Sequence, residues 1–301
     1  MESKNSRKLT LLEAISENRV MISDGATGTY LQTHGLEPGG CPEEFNSSNP
    51  GIICQMAKDY FNAGSDLVLT NSFGGSKFMQ KKYGHGDKVA EFNRLSATHA
   101  KSVAGPQNYV VGSVGPTGEF LAPLGDVSEK EMCLAFEEQM VALKEGGADA
   151  IIIETMTAIE EILLAIRVAK ESTNLPVIAT MVFDKGPRGF FTMMGITPER
   201  AAKELTSAGA DIIGTNCGNG IDLMIEIAQQ MRESTDKPMI VHSNAGIPTV
   251  KNGQIIYPET PEYMTERFVQ IVELGVNIVG GCCGTGPEHI KSLSRTLKTS
   301  P

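Results

Sequence analysis

One local pattern recurs along the chain and limits the folds that it can adopt. In each copy an amphipathic stretch ends at a Gly-containing turn, an Asp or Asn follows, and a short run of β-branched residues comes next; the four copies are Ala63 to Thr70, Gly146 to Glu154, Ala208 to Asn216 and Leu274 to Gly281. Glycine is typical of the left-handed residue that ends a helix, and runs without polar alternation are typical of strands buried on both faces. The pattern therefore predicts helix-strand units of a parallel sheet.

Four further runs complete the predicted set of strands. They are Val20 to Asp24, Tyr109 to Val114, Val177 to Val182 and Met239 to His242, and the segments between strands include helices at Glu129 to Glu145, Ile159 to Glu171 and Thr260 to Leu274. Eight units fill the 301 residues evenly, and no dinucleotide-binding fingerprint follows the first strand. We therefore predict an α/β fold in which residues 1–301 form a single (β/α)8 barrel of the TIM type, in preference to a doubly wound open sheet.

Composition argues against several classes of protein. The formal net charge is -10 and the Lys and Arg residues are scattered, whereas nucleic-acid binding needs a basic face. Residues 1–10 are polar and charged, and no apolar stretch approaches the roughly 18 residues that span a bilayer, so we expect neither an export signal nor a membrane anchor. Under these conditions the six cysteines are expected to be reduced thiols, which indicates a cytoplasmic protein.

Polar and glycine-rich residues follow most of the predicted strands. In an α/β barrel the chemistry lies where strands end and the following loops begin, so these segments together predict one pocket. They are Asp24 to Gly28, Thr70 to Gly75, Gly115 to Glu119, Glu154-Thr155, Asn216 to Gly218, His242 to Gly246 and Gly281 to Gly284.

Three cysteines lie in these segments. Cys217 follows the sixth predicted strand and Cys282-Cys283 follow the eighth, so closure of the barrel would bring three sulfurs to one rim. Thiolates are soft ligands that suit zinc, and an ion held by three protein ligands keeps its fourth position for a substrate. Zinc deprotonates a bound thiol, which favours attack of its sulfur on a methyl group. The remaining three are expected to be ordinary buried thiols: Cys41, Cys54 and Cys133.

These motifs resemble the homocysteine S-methyltransferase family. The resemblance rests on Gly280 to Thr285, Asn216-Cys217 and Asp24 to Thr29, and it covers nearly the whole chain. Other motifs are similar to the homocysteine-binding module of cobalamin-dependent methionine synthase, namely Leu69 to Gly74, Gly115 to Glu119, Asn244 to Gly246 and Tyr257-Pro258. The resemblance implies an α/β barrel that holds zinc on three cysteines, which agrees with the prediction made from the residues alone.

The resemblance also implies a substrate site. Carboxylates at the ends of strands one and four would hold the homocysteine amino group, here Asp24, beside Gly25, and Glu154. Backbone amides after strand two would hold the amino-acid carboxylate, here in the segment Thr70, Asn71, Ser72 and Phe73. Asn244 matches an Asn that can occupy the open zinc position when no thiol is bound. A buried ammonium group needs an opposite charge, although the two carboxylates could instead cap the helices that follow.

Two segments depart from the family pattern. His242 and Ser243 stand before Asn244, where methionine synthase modules commonly have Glu-Pro, and Phe190 to Gly195 is bulkier and more apolar than expected. Either segment could reshape the acceptor pocket. His242 itself is either a solvated residue at the end of a strand or a donor tuned to a different thiol.

The sequence says least about the methyl donor. It contains no Asp-x-His-x-x-Gly element of the kind that presents His to cobalt, and it leaves no room for further domains after Pro301, so we expect a methylcorrinoid such as methylcobalamin on a separate protein. An S-methylmethionine-type sulfonium donor is the second choice. The prediction is zinc-dependent methyl transfer to homocysteine, as in methionine biosynthesis. The alternatives are transfer to another thiol, demethylation of a methylated metabolite, a noncatalytic zinc-binding scaffold, and unrelated chemistry such as a carboxylate-metal lyase.

Overall fold

A computed structural model describes residues 8–17, 19–251 and 254–299 of the chain. The strands of this part are β1 (Met21–Ile22), β2 (Leu67–Leu69), β3 (Tyr109–Val114), β4 (Ala150–Met156), β5 (Val177–Met181), β6 (Asp184–Gly186), β7 (Gly189–Phe191), β8 (Ile212–Asn216), β9 (Met239–Ser243), β10 (Thr249–Lys251), β11 (Gln254–Ile256) and β12 (Ile278–Gly281). The α-helices are α1 (Leu11–Ser16), α2 (Thr27–Thr33), α3 (Phe45–Ser48), α4 (Pro50–Ala63), α5 (Lys77–Lys82), α6 (Val89–Val103), α7 (Glu129–Glu145), α8 (Ile159–Thr173), α9 (Pro198–Ser207), α10 (Ile221–Arg232), α11 (Pro261–Glu273) and α12 (Pro287–Thr299), and a 3-10 turn covers Pro42–Glu44.

Eight parallel strands form the central sheet, in the order β1-β12-β9-β8-β5-β4-β3-β2. Its two end strands approach each other, because the N–H of Asp66, just before β2, donates to the carbonyl of Ile22 in β1 at 2.7 Å. The sheet is therefore a nearly closed barrel with helices between its strands, which confirms the predicted (β/α)8 fold and not the doubly wound alternative. Two hairpins, β6-β7 and β10-β11, extend from the loops that follow β5 and β9.

The repeated turn has a structural role at the start of four strands. Its glycines, Gly64, Gly147, Gly209 and Gly275, have positive φ angles of 82–109°, as predicted for helix ends. The acid or amide that follows each turn forms a reciprocal pair with a neighbouring strand. Asp211, for example, donates its N–H to the Val177 carbonyl at 2.8 Å and accepts the Val177 N–H on its carboxylate at 2.8 Å. Because both bonds join the same two residues, the pair fixes the register of adjacent strands.

Apolar layers lie on both faces of the barrel wall. The larger layer lies between the sheet and the helices, whose apolar faces pack outside the strands. The smaller layer fills the amino-terminal half of the barrel interior, and Leu11 and Ile15 of α1 close it from below. Among the described residues, no helix combines the length and apolar character needed to cross a membrane.

The carboxyl-terminal half of the barrel interior is polar. Side chains of a strand alternate between its faces, so residues two positions apart share the interior. Ile152 and Ile240 belong to the interior apolar layer, and two residues further along the same strands stand Glu154 and His242. The change from isoleucine to ionisable residues marks the floor of the site.

Candidate active site

The three cysteines predicted at the rim lie together. The sulfurs of Cys217, Cys282 and Cys283 are all within 4.8 Å of one another, and those of Cys217 and Cys283 are 3.9 Å apart. In a tetrahedral site with zinc-sulfur bonds of about 2.3 Å, the sulfurs lie about 3.8 Å apart. The observed spacing therefore fits three thiolates on one ion, and the chemistry of the donor set fits a soft or borderline metal.

The end of β9 positions both cysteine loops. The N–H of Cys217 donates to the His242 carbonyl at 3.0 Å, and the N–H of Cys282 donates to the Ser243 carbonyl at 2.7 Å. Cys217 itself has a φ of 61°, a left-handed conformation that turns the chain away from strand geometry. Two loops that are distant in sequence thus converge because they bond to consecutive carbonyl groups of one strand.

The Cys282-Cys283 pair lies in a tight turn that requires glycine on both sides. The N–H of Thr285 donates to the Cys282 carbonyl at 3.1 Å and closes the turn. A Cβ at Gly281 would collide with the Thr285 side chain, and Gly284 has a φ of 82° with the Tyr257 ring against its Cα. These glycines allow two consecutive cysteines to face one point, which is impossible in an extended strand.

Hydrogen bonds between the thiols make the cluster anionic. Bonds from Cys282 and then Cys283 lower the pKa of Cys217 to about 3. The bonds with Cys217 in turn raise the pKa of Cys282 and raise that of Cys283 to about 11. The Asn244 amide also bonds to Cys217, and the Tyr257 hydroxyl bonds to Cys283. A cation bound to the sulfurs would favour ionisation of all three thiols.

The cluster lies in the wall of a cavity of about 520 Å³. The wall is built from loops after β1, β2, β8 and β12, from the turn at Pro42–Glu44, and from residues near the ends of the interior strands. Six of the eight predicted substrate residues line it: Gly25, Thr70, Asn71, Ser72, Phe73 and Glu154. Asp24 and Asn244 lie behind the lining residues.

Glu154 is the acidic side chain on the floor of the cavity. It is 6% exposed, and its carboxylate accepts hydrogen bonds from the Ser113 hydroxyl at 2.5 Å and the Asn216 amide at 3.2 Å. Burial raises the pKa of Glu154 to about 7. A positively charged group entering the cavity would favour the ionised form and relieve this desolvation.

Asp24 is buried, and its predicted contact with an amino group stays a prediction. Its carboxylate accepts the Leu69 N–H at 2.8 Å and the Ser23 hydroxyl at 3.0 Å, and burial raises its pKa to about 7. The side chain therefore joins β1 to the end of β2 and does not itself reach the cavity surface. This contact contributes to barrel closure and holds the start of the loop at residues 70–75.

The loop after β2 presents free backbone donors to the cavity. In the described part of the chain, the N–H groups of Asn71 and Phe73 have no acceptor, whereas that of Ser72 donates to the Thr70 carbonyl at 2.9 Å. The loop conformation is held by side chains, since the Ser72 hydroxyl donates to the Ser113 carbonyl at 2.7 Å. Two fixed and unpaired N–H groups form a suitable site for a carboxylate.

Asn244 lies beside the sulfurs and not in the cavity. Its side-chain oxygen accepts the Cys283 N–H at 3.1 Å, and its amide contacts the Cys217 thiol. The side chain thus joins the two cysteine loops.

Glu43 is a wall residue that the sequence analysis did not identify. It is 2% exposed and accepts the Gly74 N–H at 2.7 Å and the Gln80 amide at 3.1 Å, so it supports the loop after β2 from below. Burial raises its pKa. The residue lies in a polar connection far from any strand end, and the sequence offered no signal beyond its Pro-Glu-Glu turn.

His242 faces the cavity and is not solvated. It is 1% exposed, and burial lowers the pKa of its imidazole to about 4, so the ring is neutral at pH 7. The suggested alternative of a solvated strand-end residue is therefore wrong. By contrast, none of the residues from Phe190 to Gly195 lines the cavity, so this segment does not shape its wall.

The three cysteines outside the cluster differ in burial. Cys41 is buried beside Glu43, and desolvation raises its thiol pKa to about 11, as expected for an inert thiol. Cys54 and Cys133 are only half-buried on α4 and α7, so the expectation of buried thiols is wrong for these two.

Comparison with known proteins places the chain in a family. The sequence profile described as homocysteine S-methyltransferase matches residues 21–297. The chain belongs to the homocysteine S-methyltransferase family. Family membership makes it a methyltransferase, and the matched region contains every residue of the candidate site.

The family assignment is supported by relatives of known name. Methionine synthases of Mycobacterium leprae (strain TN) and of Mycobacterium tuberculosis (strain ATCC 25618 / H37Rv) are each 31% identical over 307 aligned positions, which cover 95% of this chain. The chain spans about a quarter of the length of these relatives, since the alignment covers 25% of each.

Solved structures support the barrel. The metallated form of the homocysteine methyltransferase MmuM from Escherichia coli superposes with a TM-score of 0.79 at 20% identity, covering 95% of this chain and 99% of that one. Its oxidised form gives a TM-score of 0.78 at the same identity and coverage. At this identity the likeness concerns the fold of the homocysteine S-methyltransferase family and not the details of the site.

Proposed function

We propose that this chain is a zinc-dependent homocysteine S-methyltransferase that produces methionine. The observation that carries the proposal is the cluster of three sulfurs in the wall of a cavity whose floor holds a buried carboxylate. A thiol with an amino group and a carboxylate fits this set of groups. Family membership and the names of the relatives support homocysteine as that acceptor.

Cys217, Cys282 and Cys283 would hold the zinc. When bound, zinc supplies a Lewis acid that keeps the acceptor sulfur deprotonated at neutral pH, and three anionic ligands leave that sulfur electron-rich. Asn244 and Tyr257 fix the positions of the cysteine sulfurs by the hydrogen bonds described above.

The chain's other residues would bind and orient the acceptor. The ionised Glu154 carboxylate accepts the acceptor's ammonium group, and the free N–H groups of Asn71 and Phe73 donate to its carboxylate. These contacts hold both ends of the amino acid and direct its sulfur toward the donor. A new sulfur-carbon bond then forms as the bond between the methyl carbon and the donor breaks, and the bonding electrons leave with the donor.

We further propose that the methyl group arrives as a methylcorrinoid on a separate protein. The support is the surface around the cavity mouth, where exposed apolar side chains follow the carboxyl ends of the barrel strands: Phe73, Tyr83, Phe120, Leu124, Met193, Met194, Ile247, Val250, Ile255 and Ile256. In the described ranges, Leu134 is the single exposed large apolar side chain outside this rim. Exposed apolar side chains gathered at one end of a barrel are typical of a protein interface. All six cysteines are free, which supports a reducing compartment such as the cytoplasm.

A second candidate is transfer to a different thiol, or the reverse reaction in which a methylated metabolite loads a corrinoid. The observation that favours it is His242 in the cavity wall, since methionine synthase modules commonly carry Glu at this position.

The test uses purified chain with its zinc content measured. Zinc-loaded protein is incubated with methylcobalamin and homocysteine, with other thiols, or with homocysteine and S-methylmethionine in place of methylcobalamin. We expect one zinc per chain and methionine formation that depends on homocysteine. Turnover with another thiol alone would favour the second candidate, turnover with S-methylmethionine alone would reassign the donor, and zinc binding without any methyl transfer would indicate a scaffold.

A further inference from the structure

The wall of the acceptor cavity contains a nitrogen atom without a partner. Four buried side-chain nitrogen or oxygen atoms of the described residues lack a hydrogen bond, and among their residues His242, through its Nε2, is the one that lines the cavity. An unpaired polar atom in a dry site costs about 1–3 kcal/mol of stability, so its position calls for a ligand partner.

The surrounding residues make room for the imidazole ring. A Cβ at Gly280 on β12 would stand 3.2 Å from His242 Cδ2, and on β8 a Cβ at Gly214 would collide with the carbonyl of Ile240, which precedes His242 by two residues. β12 therefore carries glycine opposite His242, whereas the glycine of β8 lies opposite Ile240, one layer lower. The ring occupies that space without forming a bond to either neighbour.

His242 lies between the backbone carbonyl of Asp24 and Asn216, which is a hydrogen-bond partner of Glu154. On one side, the Asp24 carbonyl and His242 Cδ2 are both within 3.2 Å of the position that a Gly280 Cβ would take. On the other side, His242 pairs in register with Asn216, whose amide donates to Glu154 at 3.2 Å. The ring nitrogens do not join the sulfur cluster, which in the described chain contains three cysteines and no histidine.

An ammonium group held in this cavity has three N–H donors to satisfy. Asp24 already accepts the Leu69 N–H and the Ser23 hydroxyl and lies behind the wall. Glu154 retains unused lone pairs but occupies one side of the floor only. In the neutral tautomer that carries its proton on Nδ1, the Nε2 atom of His242 is an additional acceptor, with no competing bond in the described chain.

We propose that His242 Nε2 accepts a hydrogen bond from the amino group of the bound acceptor and so selects thiols that carry an α-amino group. This inference rests on the proposed function, because it assumes an amino-acid thiol in the cavity. It makes His242 a specificity-determining residue. Glu154 supplies the counter-charge to the ammonium group, and His242 accepts a directional hydrogen bond from it.

The experiment compares two acceptors that differ in the amino group alone. Calorimetry on the zinc-loaded full chain gives the dissociation constants of L-homocysteine and of 4-mercaptobutyrate, which has the same thiol and carboxylate. His242→Leu removes the acceptor nitrogen with little change in volume, and His242→Gln keeps a polar acceptor. Ile240→Val is the matched control, since it alters the same face of β9 one layer below the cavity.

We expect His242→Leu to weaken homocysteine binding about 10- to 100-fold, the range for a hydrogen bond to a charged group, and to leave 4-mercaptobutyrate binding unchanged. His242→Gln should recover part of the loss, and Ile240→Val should leave the ratio of the two constants at the wild-type value. As a measurement that needs no variant to fold, the ring-nitrogen NMR signal of His242 in ¹⁵N-histidine-labelled wild type should move with homocysteine and not with 4-mercaptobutyrate.

Equal weakening of both acceptors would make His242 a structural residue and overturn the proposal, as would unchanged binding of both. A fall in turnover with an unchanged ratio would assign the ring to another step and would also overturn it. If zinc-loaded wild type binds neither acceptor, the proposed function is wrong and the inference falls with it, which separates the two failures.

Discussion

Glu154 gives the sharpest test of how the cavity recognises its acceptor. The carboxylate is buried, and desolvation raises its pKa to about 7 in the free protein. The ammonium group of homocysteine requires the ionised form, so protons compete with the ligand. Affinity should therefore fall as the pH falls through 7 and rise as the pH rises through it.

The size of the effect follows from the titration. With a pKa of about 7, about a tenth of Glu154 is ionised at pH 6 and about nine tenths at pH 8, which predicts a roughly tenfold gain in affinity from this residue. Asp24, whose pKa is also about 7, would steepen the change if it ionises with Glu154. Glu154→Gln leaves the ammonium group without its buried counter-charge, which costs about 3 kcal/mol or more and weakens binding over about a hundredfold.

The assay must separate Glu154 from the thiol, which also ionises as the pH rises. We would measure dissociation constants of homocysteine and 4-mercaptobutyrate by calorimetry on zinc-loaded protein from pH 6 to pH 8. Thiol ionisation affects the binding of both ligands, so the ratio of their dissociation constants reports the contribution of the amino group. In wild type, the dissociation constant of 4-mercaptobutyrate divided by that of homocysteine should rise about tenfold or more with pH. In Glu154→Gln this quotient should stay constant. A flat wild-type ratio, or a Glu154→Gln protein that keeps wild-type affinity, would refute the assignment.

Four further outcomes are expected. Replacing any one cysteine of the cluster by Ala should abolish zinc binding and methyl transfer with an unchanged circular dichroism spectrum, because the ligands lie on the rim; collapse of the spectrum would contradict this. In metal-free protein, the His242 pKa of about 4 means that the unfolded chain takes up the proton first, so up to about 3 kcal/mol of stability is lost as the pH falls from 6.5 to 4. Urea unfolding should show this loss in wild type and less of it in His242→Gln. Asp24→Ala should lower stability by about 1–3 kcal/mol through the unpaired Leu69 N–H while zinc is retained, and an unchanged urea midpoint would argue against that contact. Gly281→Ala should lower the melting temperature and weaken zinc binding, since its Cβ collides with Thr285 and overpacking costs about 1–3 kcal/mol; wild-type values for both would show that the turn adapts.

The separation of metal ligands and acceptor contacts in the barrel has a consequence for these tests. The sulfurs depend on the end of β9 and on one glycine turn, whereas Glu154 and the free N–H groups depend on β4 and the loop after β2. Variants of Glu154 should therefore change acceptor binding without loss of zinc. Variants of the cluster cysteines should lose zinc. Metal content and ligand affinity must be measured together to distinguish the two.

The sequence by itself determined the helix-strand units and which three cysteines come together. Turn glycines, apolar runs and helix periodicity are properties of neighbouring residues, so strands such as Tyr109–Val114 and Ile212–Asn216 could be predicted to the residue. The Gly-Gly-Cys-Cys-Gly motif is also local, because the glycines that the turn requires stand beside the cysteines. Strand order then followed from the parallel repeat, and with it the meeting of Cys217 with the cysteine pair.

Only the tertiary structure decided which polar groups reach the cavity. Asp24 and Glu154 look alike in sequence as strand-end carboxylates. The Asp24 carboxylate, however, binds the N–H of Leu69, 45 residues away along the chain, and lies behind the wall, whereas Glu154 lines the cavity. Glu43 supports a loop 31 residues away, and Gly280 on another strand leaves room for the His242 ring. Hydrogen-bond satisfaction and burial depend on contacts between distant segments, and periodicity along one segment carries no information about them.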